Sequence, residues 1–517
     1  MTNTPNFRLP FRKSSTLLAS LILLTPGLFV AEGVASSLIS QLGVDIDGEA
    51  SSDFSGVSID MNSDGTRIII GATRNDPSGN DSAGHARIFK FDGTSWAQLG
   101  ADIDGEAAGD FSGDSVAMNA SGSKVAVGAP SNDGNGANAG HVRVFEYDGA
   151  AWTQVGADID GAAAGDAFGN AVAMNSDGTR LAVGAPQNDG NGIDSGQVKV
   201  FDWDGNNWTQ VGAEIDGAAA GDLAGFAIAL SSDGETLAFA SQYHNGDAGH
   251  VRIYSLESNS WTQVGADIDG EAASDQSGTS VSLNSDGTRV AIGAPENDNE
   301  NGTNSGHVRV FEWDETSWNQ LGSDINGEAA GDYSGQSTSL SSDGNRLAVG
   351  SPYSNNDTGL VKIYDWNGTE WVSLVDPIDG EASSDVSGFA VSLSGDKRTV
   401  AIGAPQNDGT ASNAGHTRVF SLPAPVQPPA PATPAPYSGP LISSVGSGNA
   451  FSAAGETVTI NGQRLGSVTK VIIDGKEAEL VSVTSDSFQI IIPDGLAAGT
   501  YDIQIQSSIG NLTYLDG

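Results

Sequence analysis

The chain has 517 residues, 69 of them glycine, no cysteine, and 65 acidic against 22 basic side chains, a formal net charge of -43. That imbalance disfavours nucleic acid and anionic membrane surfaces as partners, because phosphate binding needs clustered Lys and Arg. It suits cations, cationic partners or uncharged glycans, and the missing cysteine excludes disulfides, thiolate metal sites and a cysteine nucleophile.

Arg8, Arg12 and Lys13 precede an apolar run at residues 17–30, and small residues follow at Gly33-Val34-Ala35. This order predicts a secretory signal peptide spanning residues 1–35. The alternative is a retained anchor, which Pro26 and Gly27 disfavour by interrupting the run. No later segment has the length and apolarity to cross a bilayer as a helix.

From residue 36 to 421 one sentence is written seven times. Its Gly-Ala-Pro position falls at Gly71, Gly128, Gly184, Ala240, Gly293, Gly350 and Gly403. Repeats at a fixed period outrank length as a guide to architecture. The second copy has four strand-like runs: Ser115–Met118 (strand a), Lys124–Ala129 (b), His141–Tyr147 (c) and residues 152–159 (d). Asp-Gly turns such as Asp177-Gly178 join a to b, and Asp148-Gly149 joins c to d. Such dipeptides supply the positive φ angles of tight hairpins. No segment has helical periodicity. The expected fold is all-β, a seven-bladed propeller of four-stranded blades.

The count of strands predicts how the ring closes. Six Trp-led strands d follow a strand c, as Trp-x-Gln at Trp96, Trp152, Trp208, Trp261 and Trp318 and as Trp-Val-Ser at Trp371. The seventh strand c runs into prolines, and residues 38–43 supply the missing d ahead of the first strand a. Pairing the N-terminal strand with the last blade would remove the exposed edges.

The ordered set Asp-x-Phe/Ser-Gly, Asp-Gly, Val-Gly-Ala-Pro and Gly-His-Val-Arg-Val-Phe resembles the FG-GAP repeat of integrin α-subunit heads and related bacterial propellers. The resemblance implies a seven-bladed propeller and leaves function open. In integrin-like blades calcium sits in an Asp-rich a–b hairpin loop. Here that loop is reduced to a turn, as at Asn175-Ser176-Asp177-Gly178, so calcium does not carry over to it.

Residues 422–440 hold eight of the 19 prolines and read as a semi-rigid linker. Residues 441–517 return to short strand-like runs, at residues 457–460, 470–473, 488–492 and 500–507. The order Gly455-x-Thr457-Val458-Thr459-Ile460-x-Gly462, Val471-x-Ile473-x-Gly475 and Ile491-Ile492-Pro493 resembles the IPT/TIG family of immunoglobulin-like β-sandwiches. Such domains act as spacers or docking modules in extracellular proteins.

In an up-and-down blade the a–b and c–d turns share one face, and the longer b–c and d–a loops share the other. Acidic residues crowd the second face, and 13 of the 16 basic residues in the repeats occupy two fixed strand positions. Those cations are expected to bind neighbouring blades.

The d–a connectors place acids at positions 1, 3, 5 and 9, as in oxygen-ligand calcium loops. The sets are Asp45/Asp47/Glu49/Asp53, Asp102/Asp104/Glu106/Asp110 and Asp267/Asp269/Glu271/Asp275, with Asp324/Glu328/Asp332 as a variant carrying Asn326. Calcium is therefore the candidate cofactor. The competing reading is a blade connector whose Ile is buried and whose Asp side chains cap turns.

Five histidines, His85, His141, His250, His307 and His416, share one strand-c position, so a packing role fits better than a single catalytic base. His244 with Tyr243, and Tyr353 two repeats on, break the repeat pattern and are the candidate ligand-binding residues. No His-Glu-x-x-His, Gly-x-Ser-x-Gly, P-loop or dinucleotide fingerprint is present, so no enzyme is expected.

The order of parts points to a secreted, cell-surface or periplasmic binding and adhesion scaffold. Its expected ligand is an extracellular protein or matrix component, bound on the acidic loop face. A lectin-like glycan binder using Tyr243 and Tyr353 is the second reading, and a polysaccharide-active enzyme the third.

Overall fold

The computed structural model describes residues 39–76 and 81–424, and in the C-terminal segment 441–445, 457–463, 468–473, 476–494, 503–507 and 512–514. The signal-peptide segment and most of the proline-rich linker lie outside the described residues.

Seven antiparallel sheets each follow the order a-b-c-d. In blade 2, strand b (Lys124–Ala129) alternates large and small side chains. Both faces of a blade are covered, so both sets are buried. Val125 and Val127 pack with Ile69, Ile88 and Val116 toward blade 1. Ala126 faces the other way and joins Val142, Leu181 and Val183 toward blade 3. The Arg-Leu-Ala-Val-Gly-Ala pattern is thus a large face meeting a small one at the blade junctions, the interdigitation that packed sheets require. The exception is between blades 1 and 2, where Ile69 stands at the small position.

The Gly of the Gly-Ala-Pro position has a steric cause. A Cβ on Gly128 would lie 2.1 Å from the carbonyl oxygen of Gly169 in the next connector. The connector bends there through a left-handed residue. Phe54, Phe111, Ala167, Leu223, Gln276, Tyr333 and Val386 all have φ between 52° and 56°, a conformation that costs roughly 1–2 kcal/mol for residues with a Cβ.

Strand d is not the continuous run 152–159. It is Trp152–Gln154 followed by Ile159–Asp160, both antiparallel to strand c. Four residues on d oppose two on c, which bulges the strand and tucks Ile159 into the blade junction. Each Trp reaches back one blade: Trp152 Nε1 donates to the Leu99 carbonyl at 2.7 Å and Trp208 Nε1 to Val155 at 2.9 Å.

The ring closes at the N-terminus. Ser40 and Gln41 pair with Ser421 and Phe420 of the last strand c, and Ile46–Asp47 pairs with His416–Thr417. Trp96 Nε1 then donates to the Leu42 carbonyl at 2.8 Å, stitching blade 1 to that closing strand.

The strand-c cations tie connectors to blades, as Arg143 does by donating to the Asp104 carbonyl at 2.5 Å. Cations after the a–b turn reach the next blade's turn: Arg67 donates to Gly122 O, Arg180 to Gly234 O and Arg289 to Gly344 O, at 2.8–3.0 Å.

The C-terminal domain is an immunoglobulin-like sandwich of seven strands around Ile460, Val471, Ile473, Phe488, Ile490 and Ile505. Three of its strands, Leu441–Val445, Lys476–Val483 and Leu512–Tyr514, were not among the runs expected from the sequence. The second begins Lys-Glu-Ala-Glu and exposes most of its length, which hides the pattern.

Candidate functional site

The four acids of one connector serve four different partners. At position 9, Asp110 is buried and accepts from Ala107 N and Asn132 Nδ2, both at 3.0 Å. Asp53 and Asp275 repeat this with Ala50 and Asn75, and with Ala272 and Asn297. At position 1, Asp45, Asp102 and Asp267 accept from Gln41, Gln98 and Gln263 at 2.5–2.6 Å. At position 3, the backbones of Asp47, Asp104 and Asp269 pair with His416, His85 and His250. At position 5, Glu49, Glu106 and Glu271 lie 3.4–3.7 Å from Arg87, Arg143 and Arg309. The connector's Ile is buried, as Ile103 is.

Side chains of different connectors converge instead. Among the described residues, the His and carboxylate groups with donor atoms within 4.8 Å of one another are Asp45/Glu381/His416, Glu49/His85/Asp102, Glu106/His141/Asp158, His250/Asp267/Asp269 and Glu271/His307/Asp324. The a–b turn does not fit the calcium that integrin-like blades hold there. Asn119 Oδ1 already accepts from Ser123 N and Lys124 N at 2.9 Å, and Gly122 N closes onto Asn119 O.

The five strand-c histidines are all buried. Burial first, and the neighbouring arginine second, hold them below the ordinary imidazole range. His85, His250 and His307 are pushed down to about 4, and His141 and His416 shift the same way. They are neutral at neutral pH.

The symmetry-breaking residues separate into two places. In blade 4, His244 Nδ1 lies 3.1 Å from Asp222 Oδ2, where other blades put an asparagine. Its ring is 4.1 Å from that of His250, and Tyr243 beside it is exposed. In blade 6, Tyr353 meets Tyr333 edge to face at 5.1 Å, and the pair lines a cleft of about 310 Å³ with Gly331 and Asp357. Tyr243 is not part of that cleft.

A third feature escaped the sequence reading. Strands a surround a central channel, and its mouth on the loop-rich face is a cavity of about 290 Å³. In six of the seven blades the residue that follows the connector's glycine lines it: Asp114, Asn170, Phe226, Thr279, Gln336 and Phe389, with Val57 at that position in blade 1. No two adjacent blades present the same side chain there. Burial alone raises Asp114 to about 6. The opposite end of the channel holds Asp60, also raised to about 6 by burial, although it accepts from Met118 N and Met61 N at 2.8 Å. The signal for the mouth was in the sequence as one variable residue per repeat, next to an invariant glycine.

Fold and loop face together define a β-propeller joined to an immunoglobulin-like module. Comparison with known families agrees. Residues 158–201 and 267–311 match the FG-GAP repeat, and residues 440–514 match the IPT/TIG domain. The chain carries FG-GAP repeats and an IPT/TIG domain. Both are typical of extracellular binding scaffolds rather than enzymes. No curated protein matches the chain. A solved structure from Bacteroides uniformis, provisionally assigned as a 6-phosphogluconolactonase, is 14% identical with a TM-score of 0.45, over 64% of this chain and 87% of that one. That likeness carries no argument about activity here. Among the described residues no helix is long and apolar enough to cross a membrane.

Proposed function

We propose that the protein is a secreted or surface-displayed adhesion scaffold that binds a protein or matrix ligand over the channel mouth on its acidic loop face. The observation that carries this is where the repeats diverge. Blade junctions repeat almost residue for residue, whereas the mouth presents one carboxylate, three neutral polar side chains and two phenylalanines in an asymmetric ring. A scaffold gains nothing from that asymmetry, but a recognition surface does. Exposed Asp133, Asp189, Asp298 and Asp408 on the b–c loops surround it with negative charge. A cationic group of the partner is the natural occupant beside Asp114.

The test is binding to a panel of immobilised extracellular-matrix proteins and polysaccharides. Asp114→Asn and Phe226→Ala should each weaken any partner found by tenfold or more, with Lys124→Ala on the other face leaving it unchanged. Binding indifferent to both mouth variants would overturn the assignment. The Tyr333–Tyr353 cleft favours a second reading, a glycan subsite, in which aromatic faces carry a sugar ring. Polysaccharide binding lost in Tyr353→Ala and retained in Asp114→Asn would support it.

A further inference from the structure

Four of the convergent sets share one grammar. Each takes the glutamate of the connector entering a blade, the histidine opening strand c, and the first aspartate of the connector leaving it. They are Glu49/His85/Asp102, Glu106/His141/Asp158, Glu271/His307/Asp324 and Glu381/His416/Asp45. We propose that these four sets bind divalent transition-metal ions, with zinc as the probe, and that the ions clamp the blade junctions.

The geometry is that of a prepared site. In the closing set, His416 Nδ1 lies 4.0 Å from Asp45 Oδ2 and 4.0 Å from Glu381 Oε2. His141 and His307 stand 3.9 Å from Oε2 of Glu106 and Glu271. In each set the three donor atoms lie within 4.8 Å of one another, so a centre lies within about 2.8 Å of each, and small rotations of the carboxylates bring it to Zn–N and Zn–O bond lengths of about 2.0–2.2 Å. These contacts are too long for hydrogen bonds.

The other oxygen of each carboxylate is already held. Glu Oε1 faces the strand-c arginine: Arg87 at 3.4 Å, Arg143 at 3.6 Å, and Arg309 and Arg418 at 3.7 Å. Asp Oδ1 accepts from the glutamine of Trp-x-Gln or its N-terminal equivalent: Gln41, Gln98, Gln154 and Gln320, at 2.5–2.7 Å. Each carboxylate is thereby oriented by a neighbour with one oxygen left over, as ligands to structural metals are.

The histidine supplies the second, independent sign. All four are buried, and neither nitrogen of His85, including the one that faces Glu49 and Asp102, has a hydrogen-bond partner. In His141, His307 and His416 the nitrogen facing the carboxylates is Nδ1, at 3.9–4.0 Å. A neutral imidazole facing two carboxylate oxygens is unsatisfied as it stands, and a cation at the centre satisfies all three groups.

The remaining blades act as internal controls. Blade 3 has Ala162, Gln197 and Glu214 at the three positions, and there Gln197 Nε2 donates directly to Asp216 at 2.7 Å. Blade 6 has Leu360 for the histidine and Pro377 for the aspartate. In both, histidine and aspartate are lost together. In blade 4 the glutamate position is Ala218, and Arg252 takes Asp267 Oδ2 at 3.0 Å. The closing set has a further consequence, because Asp45 comes from the N-terminal segment and its two partners from blade 7. An ion there latches the ring.

The test uses the full chain, stripped with chelator and dialysed at pH 7 against zinc, calcium or magnesium. Bound metal is counted by mass spectrometry and the thermal midpoint is followed. The expected result is about four zinc ions per chain, about three in His416→Gln and in His141→Gln, and a midpoint raised by zinc alone. The second variant lies off the seam, so it serves if the first does not fold. Fewer than one zinc per chain at micromolar concentration, a count unchanged in both variants, or an equal rise with calcium would each overturn the proposal. The last two results would assign the metal to surface carboxylates.

Discussion

The two ends of the central channel differ in what their side chains are for. On the loop-poor side, the cations after the a–b turns, all but exposed Arg398, find the next blade's turn. Arg346 is fully buried and makes a two-pronged pair with Asp365 at 2.6 and 2.8 Å. On the loop-rich side, the mouth holds a carboxylate that burial raises to about 6 and a ring of unlike neighbours. The first end is a junction repeated for stability. The second retains groups that stability does not ask for, which is where binding sites are found.

Breaking the junction should be costly. Arg346→Ala takes away the two-pronged partner of buried Asp365 within blade 6 and the bond to the Lys397 carbonyl of blade 7, and should remove about 3–5 kcal/mol, read as a lower denaturant midpoint. An effect below about 1 kcal/mol would mean that Arg346 is not what holds blades 6 and 7 together.

Acid should act next in size. A histidine with its folded pKa below the unfolded value near 6.5 binds fewer protons when folded. Its contribution is complete above about pH 6.5 and is lost as pH falls toward 4, to which burial pushes His85, His250 and His307. Asp60 and Asp114, both raised to about 6, act in the opposite sense over the same window. Five histidines outweigh two aspartates, so metal-free protein should lose stability between pH 6.5 and 4.5. A midpoint that holds or rises would show the histidines to be accessible to protons at little cost.

The smallest junction effect is at the rim. Trp152→Phe keeps an aromatic ring but removes the indole N–H with its 2.7 Å bond to Leu99 and part of the ring's packing, so it should cost about 1–2 kcal/mol. A loss comparable to Arg346→Ala would move the strongest junction outward.

Much of the scaffold was legible because the chain states it seven times. Repetition exposed strands a to c, and the surplus strand at residues 38–43 revealed the closure. Two things were not legible. The run at residues 152–159 hides its bulge, because it opens on Trp152-Thr153 and closes on Ile159, and only pairing with strand c shows four residues opposing two. The acidic spacing of the connectors suggested one loop around one cation. Its ninth position folds inward to cap its own backbone, while the first and fifth reach different blades. Spacing along the chain could not show that, since the partners lie one repeat away. The mouth was overlooked for a related reason: one variable residue in each repeat is noise in sequence and a ring in space.

Asp114→Asn separates the two roles most directly. A carboxylate raised from 3.8 to about 6 binds protons more readily folded than unfolded, so at pH 7 its charge works against folding. Neutralising it should raise the denaturant midpoint by about 1 kcal/mol while weakening ligand binding. A lower midpoint in Asp114→Asn would contradict the account, making the mouth one more part of the scaffold.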